Sequence, residues 1–467
     1  MNTRAKSRDP RYYFGLTINE FFSLCFLSAV FMLVTYPLYS RYSLWTGMGM
    51  AFFVFIIGHM LLIAQRSVCM PELICFIAAI NWVVAPWLAY LYPADFPLYR
   101  MSVPQQVYFA YTVPATVALW LGIHIPLRLR VGEADLKEFS KMMSPNDRLF
   151  MDSMIIFSCL VTLTANGLPF QGLRFFYYIL EQLKFVAALS LMFTSTRGWG
   201  VRVFFVYLIL FLQTTAGGVF YEFVLWSGYL FISLAYLRRW RWRLLIYISI
   251  VIVLITALNG VKSEYRAHIS YEELPIQKKI SLLGDLLWDE LAQKNSDSVA
   301  LGDRVVRWNQ GWIISRAMAF VPAAEPYAHG ETIKDALFTA IVPRVFAPNK
   351  AQAASKDFFR RFTGLQLAKD TAMALGIAGE MYVNFGSWGG VLMTGLYGIM
   401  IGFIFSRFAR FAKRNVLWWA WMPSVLLVTL EAEWNLADIL NHMTKSFLVM
   451  IVIIYCVPIF KRRLFVR

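Results

Sequence analysis

The sequence predicts an all-α polytopic membrane protein, about twelve transmembrane helices carrying one large outward loop, and three observations predict it. Of 467 residues, 59% are hydrophobic and only 15% are charged, where soluble chains carry about 25% charged residues. Mean hydropathy is +0.55, and apolar runs of roughly 17–25 residues, each long enough to span a bilayer, recur from end to end. The positive charge sits in short clusters at the ends of those runs, as topology signals do. A β-barrel would show short alternating segments instead. The net charge of +16 is therefore read as topology, and no nucleic-acid partner is expected.

Apolar segments fall at roughly 20–37, 45–64, 70–92, 106–125, 150–166, 174–194, 203–217, 218–237, 244–260, 386–406, 417–432 and 442–460. The division between the seventh and eighth rests on Thr214, Thr215, Gly217 and Gly218 alone. With the N-terminus placed in the cytoplasm beside Arg4, Lys6, Arg8 and Arg11, alternate loops collect the cations. They hold Arg66, then Arg128 to Arg148, Arg197 and Arg202, Arg238 to Arg243, and Arg407 to Arg414; the basic C-terminus joins them. The short loops opposite hold Arg41 and Arg100, with Arg174 at a helix edge. Both termini are thus expected in the cytoplasm of a bacterial inner-membrane protein. The expected division is a bundle over 1–260, a periplasmic loop over 261–385 and a closing bundle over 386–467. Glu20 in the first segment, with no small-residue site after it, argues against a cleaved signal peptide. The five cysteines avoid the loop and form no CxxC pair, so neither a disulfide framework nor a metal site is expected.

Within the loop, Glu272 to Gln293 has the spacing of an amphipathic helix, with Ile276, Ile280, Leu283 and Leu287 on one face. Asp303 to Phe320 reads as a second helix, with Asp303 and Arg307 paired at i, i+4. Pro322, Pro326, Gly330, Pro343 and Pro348 then break the chain. The aromatic content is too high for disorder, and a loop this long in a compact protein is usually functional.

The loop supplies the candidate site. Arg307, Arg316, Arg344, Lys350, Arg360 and Arg361 stand among aromatics. Guanidinium groups bind phosphate bidentately and lysine acts as a point charge. At a membrane the phosphate belongs to a lipid headgroup or a lipid-linked diphosphate. The plainer reading, for Arg360 and Arg361 above all, is solvated charge or ion pairing within the loop. Arg344 is different, because Val-Pro-Arg-Val-Phe embeds it in apolar sequence. In the run from Gly376 to Gly386, Glu380 and Asn384 share a helical face and Tyr382 points elsewhere. Gly386 allows a break just before the next span. Glu380 is read either as a base toward a sugar hydroxyl or as the partner of an arginine. His329 is a second candidate proton carrier, against the plain reading of a surface histidine. Glu222 and Glu431 lie toward the outer face and are expected to line a cavity beneath the loop, since neither faces lipid cheaply. Glu181 and Lys184, three residues apart, are read as a pair. No HExxH, GxSxG, Walker or DxD pattern is present.

From Gly330 the chain resembles the Wzy-type O-antigen polymerases, or oligosaccharide repeat-unit polymerases. The matching pieces are His329-Gly330-Glu331-Thr332, Ile341-Val342-Pro343-Arg344 with Asn349-Lys350, and Gly379-Glu380-Met381-Tyr382-Val383-Asn384-Phe385-Gly386. Phe346 stands where the family often has tryptophan, and Ala351 where it often has proline. The likeness is close over about 60 residues and looser over the twelve-span layout. It implies a GT-C-like glycosyltransferase without cofactor or metal. Such enzymes transfer a growing glycan from undecaprenyl diphosphate to the next lipid-linked repeat unit at the periplasmic face. A flippase and a chain-length regulator would be partners. By this likeness Arg344 holds the donor diphosphate, Lys350, Arg307 or Arg316 assists, and Glu380 or His329 is the candidate base. Arg360, Tyr382, Asn384, Glu222 and Glu431 complete the expected substrate-binding set. An O-antigen ligase, with the same donor and a different acceptor, and a lipid-linked oligosaccharide flippase are the alternatives.

Overall fold

The structure, a computed structural model, describes residues 12–13, 15–39, 43–127, 145–164, 174–240, 242–271, 274–292, 306, 308–342, 356–367, 373–412, 417–430 and 434–456. The first helices are α1 (Ile18–Tyr39), α2 (Leu44–Ile63), α3 (Met70–Leu91) and α4 (Gln105–His124). There follow α5 (Pro145–Thr164), α6 (Arg174–Phe193), α7 (Trp199–Gly217), α8 (Tyr221–Arg238) and α9 (Trp242–Tyr271). The loop region holds α10 (Ile276–Ala292), α11 (Gly311–Phe320), α12 (Glu331–Ile341) and α13 (Lys356–Thr363). Last come α14 (Gly376–Ala412), α15 (Leu417–Leu426) and α16 (Leu436–Cys456). The described strands are a two-residue antiparallel pair, Tyr12–Tyr13 on Leu16–Thr17.

Among the described residues eight helices, α1 to α4, α7, α9, α14 and α16, are long and apolar enough to cross a membrane. Helices also occupy the other four expected positions. Charges interrupt three of them: Asp147, Arg148 and Asp152 in α5, Glu181 and Lys184 in α6, and Glu222 in α8. The fourth, α15, is short and tightens into a 3₁₀ turn at Leu427–Leu430. Trp388 is 82% exposed, and Leu163 and Leu33 are nearly as bare. Apolar surface of that extent suits contact with lipid.

Local chemistry sets the breaks. Gly218 closes α7 in the left-handed region, where glycine carries no side-chain penalty. In α3, Pro86 lacks an amide hydrogen, and the turn before it widens to a π-helical stretch at Ile80–Val84. Arg66, after α2, donates to Glu20 of α1 and to the Gly15 carbonyl 3.0 Å away, tying these segments at one end of the bundle.

The centre of the bundle is the contact of α4 with α14. A Cβ at Gly122 would strike the Gly395 carbonyl, and one at Gly402 would strike the Ile123 carbonyl. A Cβ at Gly398 would lie 2.7 Å from the Leu119 carbonyl. The two backbones touch because nothing stands between them, the close approach that small residues give membrane helices.

Two expectations are corrected. The ninth apolar segment does not end at 260, because helix continues to Tyr271. Val261 and Tyr265 on that extension, with Leu258 just before it, pack with Phe220 and with Leu283 of α10, the amphipathic helix read from its spacing. The second loop helix begins at Gly311, while Asp303 and Arg307 lie outside the described residues. The run before the tenth segment, read with a helical face, is helix from Gly376 onward, with the expected break at Gly386 (φ 68°, ψ −163°).

Candidate functional site

The kink at Gly386 builds the site's frame. A helix broken there leaves the carbonyls of its last turn without intrahelical partners. Those of Val383 and Asn384 accept from the amides of Ala328 (2.9 Å) and His329 (3.1 Å). The loop makes this approach by reversing sharply, with His329 at φ 46° and Gly330 at φ 91°. Asn384 completes the seam. Its Oδ1 accepts from the Gly330 amide (2.9 Å), and its Nδ2 donates to the Thr332 hydroxyl (2.7 Å) and the Glu380 carbonyl (2.8 Å). Glu380 is 1% exposed. Its Oε1 accepts from the Thr332 hydroxyl (2.8 Å), and its Oε2 accepts from the Leu436 amide (2.7 Å) at the start of α16. Asn435 closes the circuit by accepting from the Leu375 amide at 3.1 Å.

Glu380 thus holds a hydroxyl and a helix N-terminus, where an arginine partner or a sugar hydroxyl was expected. A carboxyl oxygen that accepts suits the orphan amides of a helix start. Both of its oxygens are engaged in the interior, so the arrangement gives Glu380 a positioning role. Tyr382 packs edge-on to Tyr111 (5.1 Å between centroids) and Tyr327 (6.3 Å), and Tyr327 lies over Gly386. His329 is exposed beside Tyr327, 6.3 Å between ring centroids.

The cations divide. Arg361 donates to Glu325 (2.6 Å) and, through both terminal nitrogens, to Glu331 (3.0 Å each), so it staples α13 to the start of α12. The Arg361 hydrogen bonds hold the Glu331 carboxyl below its ordinary range. Arg360 is exposed and lies 3.5 Å from Asp357. For these two the ion-pair reading stands. Arg316 donates its Nε to the Thr363 carbonyl at 3.0 Å. Arg307, Arg344, Lys350 and Glu431 lie outside the described residues.

Glu222 hydrogen-bonds Tyr178 and stands in the field of Lys184. Lys184, 1% exposed, donates to Thr162 (2.8 Å) and Gln213 (3.1 Å), with Glu181 also in reach. This knot lies among α5, α6, α7 and α8, and Glu222 is not among the residues that line the large cavity.

That cavity, about 980 Å³, opens between α3, α8 and α9. Its walls are apolar, with Phe76, Ile77 and Ile80 facing Val224, Ile248, Val251 and Ile255. Along α9 it reaches from Tyr247 to Arg266, about 28 Å at 1.5 Å per residue, close to the hydrocarbon thickness of a bilayer. Lys262 and Arg266, one turn apart, line its far end, where Trp308, Asn309 and Gln310 also reach it. Gln310 donates to the Ala374 carbonyl at 3.1 Å, joining this rim to the approach of α14.

Sequence reading missed Lys262 and Arg266, and a signal was there. They are basic residues directly after an apolar run, on the side where the other apolar ends carry few. Thr332 was read only as the last residue of the His329–Thr332 motif, without a role of its own, and nothing local marks Asn435. No family model, curated protein or solved structure matches the chain.

Proposed function

We propose that this chain is a bacterial inner-membrane glycosyltransferase. It transfers a glycan from undecaprenyl diphosphate to a lipid-linked repeat unit at the periplasmic face, as a polysaccharide polymerase. The observation that carries the proposal is the cavity along α9, about a bilayer's depth in length, mainly apolar from Tyr247 to Leu258 and basic at one end through Lys262 and Arg266. A ligand matching it has a long hydrocarbon tail and an anionic head. Ordinary ligand pockets hold about 300–1,000 Å³, so the site has room for the upper part of such a lipid.

In this reading Lys262 and Arg266 hold the lipid phosphate. Arg344 and Lys350 are carried over from the family resemblance as the groups that stabilise the diphosphate as it leaves, the usual work of cations at such a centre. The Glu380–Asn384–Thr332 seam fixes the loop that bears His329, and His329 is the candidate base for the acceptor hydroxyl. Twelve spans with both termini cytoplasmic would put this end of the cavity in the periplasm.

The test is elongation of a lipid-linked repeat unit by the purified chain in detergent, where nothing can be translocated. Growth of polymer is expected, and its absence with intact protein would overturn the proposal. A deletion strain separates polymerase from ligase. Single repeat units attached to the lipopolysaccharide core are expected for a polymerase, whereas polymer retained on the carrier lipid would mark a ligase. Lys262→Ala with Arg266→Ala should raise the apparent KM for donor more than tenfold, since charge-assisted hydrogen bonds contribute about 1.5–3 kcal/mol each.

A further inference from the structure

Three helices bring three titratable side chains together at the opposite end of the bundle. His59 stands in the last turns of α2, Glu72 in the first turn of α3, and His124 ends α4. All are buried, and their ring nitrogens and carboxylate oxygen lie within 4.8 Å of one another.

The neighbours of the two rings fix where the hydrogens sit. The indole N–H of Trp120, which can only donate, gives to His59 Nδ1 at 3.2 Å. His59 therefore carries its hydrogen on Nε2, 4.0 Å from Glu72 Oε1. The carbonyl of Trp120, which can only accept, lies 2.7 Å from His124 Nδ1, so that nitrogen carries hydrogen. His124 Nε2 is left facing Glu72 Oε1 at 3.2 Å. A neutral imidazole in this tautomer has a lone pair there, and an ionised carboxylate has another. Two acceptors at that separation repel, and burial makes the conflict worse.

We infer that His124 and Glu72 hold one proton between them, making His59, Glu72 and His124 a buried proton-binding site that clamps three helices. With that proton every hydrogen has a direction, from Trp120 to His59, from His59 toward Glu72, and from His124 through Nε2 to Glu72 and through Nδ1 to the Trp120 carbonyl. The group is also neutral overall, so no unpaired charge is buried. A transition metal fits less well. To bind one, His59 Nε2 would have to be bare, and Trp120 already uses the lone pair on Nδ1. A histidine ligand instead donates its second nitrogen outward.

The experiment uses the full chain purified in detergent without chelator. Metal analysis should find no stoichiometric transition metal. Thermal unfolding should leave Glu72→Gln level with the parent, because the carboxamide supplies a hydrogen where the shared proton lay. Glu72→Ala and His124→Ala should unfold several degrees lower. With ¹⁵N-histidine, and five histidines in all, the His124 Nε2 signal should move toward the bare-nitrogen range in Glu72→Gln. One metal ion per chain, lost in His124→Ala, would overturn the inference. So would Glu72→Gln falling as far as Glu72→Ala, or a His124 signal that does not move. If the alanine variants fail to fold, the metal and ¹⁵N readings still decide.

Discussion

At the scale of residues, the candidate groups separate into those that hold the frame and those left for chemistry. Glu380 satisfies two buried donors, the Thr332 hydroxyl and the Leu436 amide. Glu380→Ala leaves both without an acceptor, at about 1–3 kcal/mol for each buried group stranded. Its thermal midpoint should fall, and whatever activity it loses should follow folded protein. Arg344→Ala should behave in the opposite way. Protein inserts at normal abundance and long polymer disappears, because losing one contact to developing charge costs about 3–4 kcal/mol, or two to three decades in rate. Wild-type polymer in that strain would rule out the role. His329 needs its backbone and its ring judged separately. Its φ of 46° lies in the left-handed region, where asparagine is also at ease. His329→Asn should therefore keep the turn, and a loss of elongation with unchanged stability would assign the base to the imidazole.

At the scale of elements, the Gly386 joint and the Arg361 staple govern how the loop sits. Gly386→Ala puts a Cβ 3.1 Å from the Tyr327 hydroxyl in a backbone region essentially reserved for glycine. Destabilisation of about 1–3 kcal/mol is expected, read from the unfolding midpoint. The Glu331 carboxyl titrates below its ordinary value because Arg361 is bonded to it. Its contribution is therefore complete above the carboxyl's unfolded value and disappears as pH falls through the lower folded one. Protease nicking between α12 and α13 should rise across that acidic window in the parent. Glu331→Gln should nick more readily at neutral pH and lose the acid step; a parent insensitive to acid would count against the staple. Much of this was legible beforehand. Apolar runs announced the helices, Gly386 announced its break, and intraloop pairing was one reading of Arg361. What was not legible has physical causes. Thr332 lies 48 residues before Glu380 and Leu436 lies 56 after it, and contacts over such separations leave no period in a sequence. The continuation of α9 escaped because the apolar run ends at 260 while helix does not, its far turns being held by α10. Lys262 and Arg266 went with it.

At the scale of the molecule, the bundle has two polar ends with different business. One has the loop frame and the basic mouth of the cavity. The other has the Glu20–Arg66 pair and the His59–Glu72–His124 cluster. The orientation expected from the basic asymmetry of the sequence would place the first end in the periplasm. Ala323→Cys and Ser195→Cys, both at exposed positions, test this in a cysteine-free background. An impermeant thiol reagent added to spheroplasts should label the first, and should reach the second only after lysis. The reverse pattern would invert the whole assignment.

The bare contact of α4 with α14 sets a timetable for biogenesis. Gly122 leaves the ribosome roughly 270 residues before Gly395, tens of seconds earlier at about 5–20 residues per second. Throughout that interval the glycine face of α4 has no mate, and the whole loop before α14 must be made before the mate arrives. Lipid or the insertion machinery has to shelter that face meanwhile. A chain truncated at residue 370 should accordingly reach the membrane and be degraded far faster than the full protein in a pulse-chase. Supplying residues 371–467 as a separate polypeptide should restore its lifetime. A truncated chain as long-lived as the parent would mean that α4 waits in comfort without its partner.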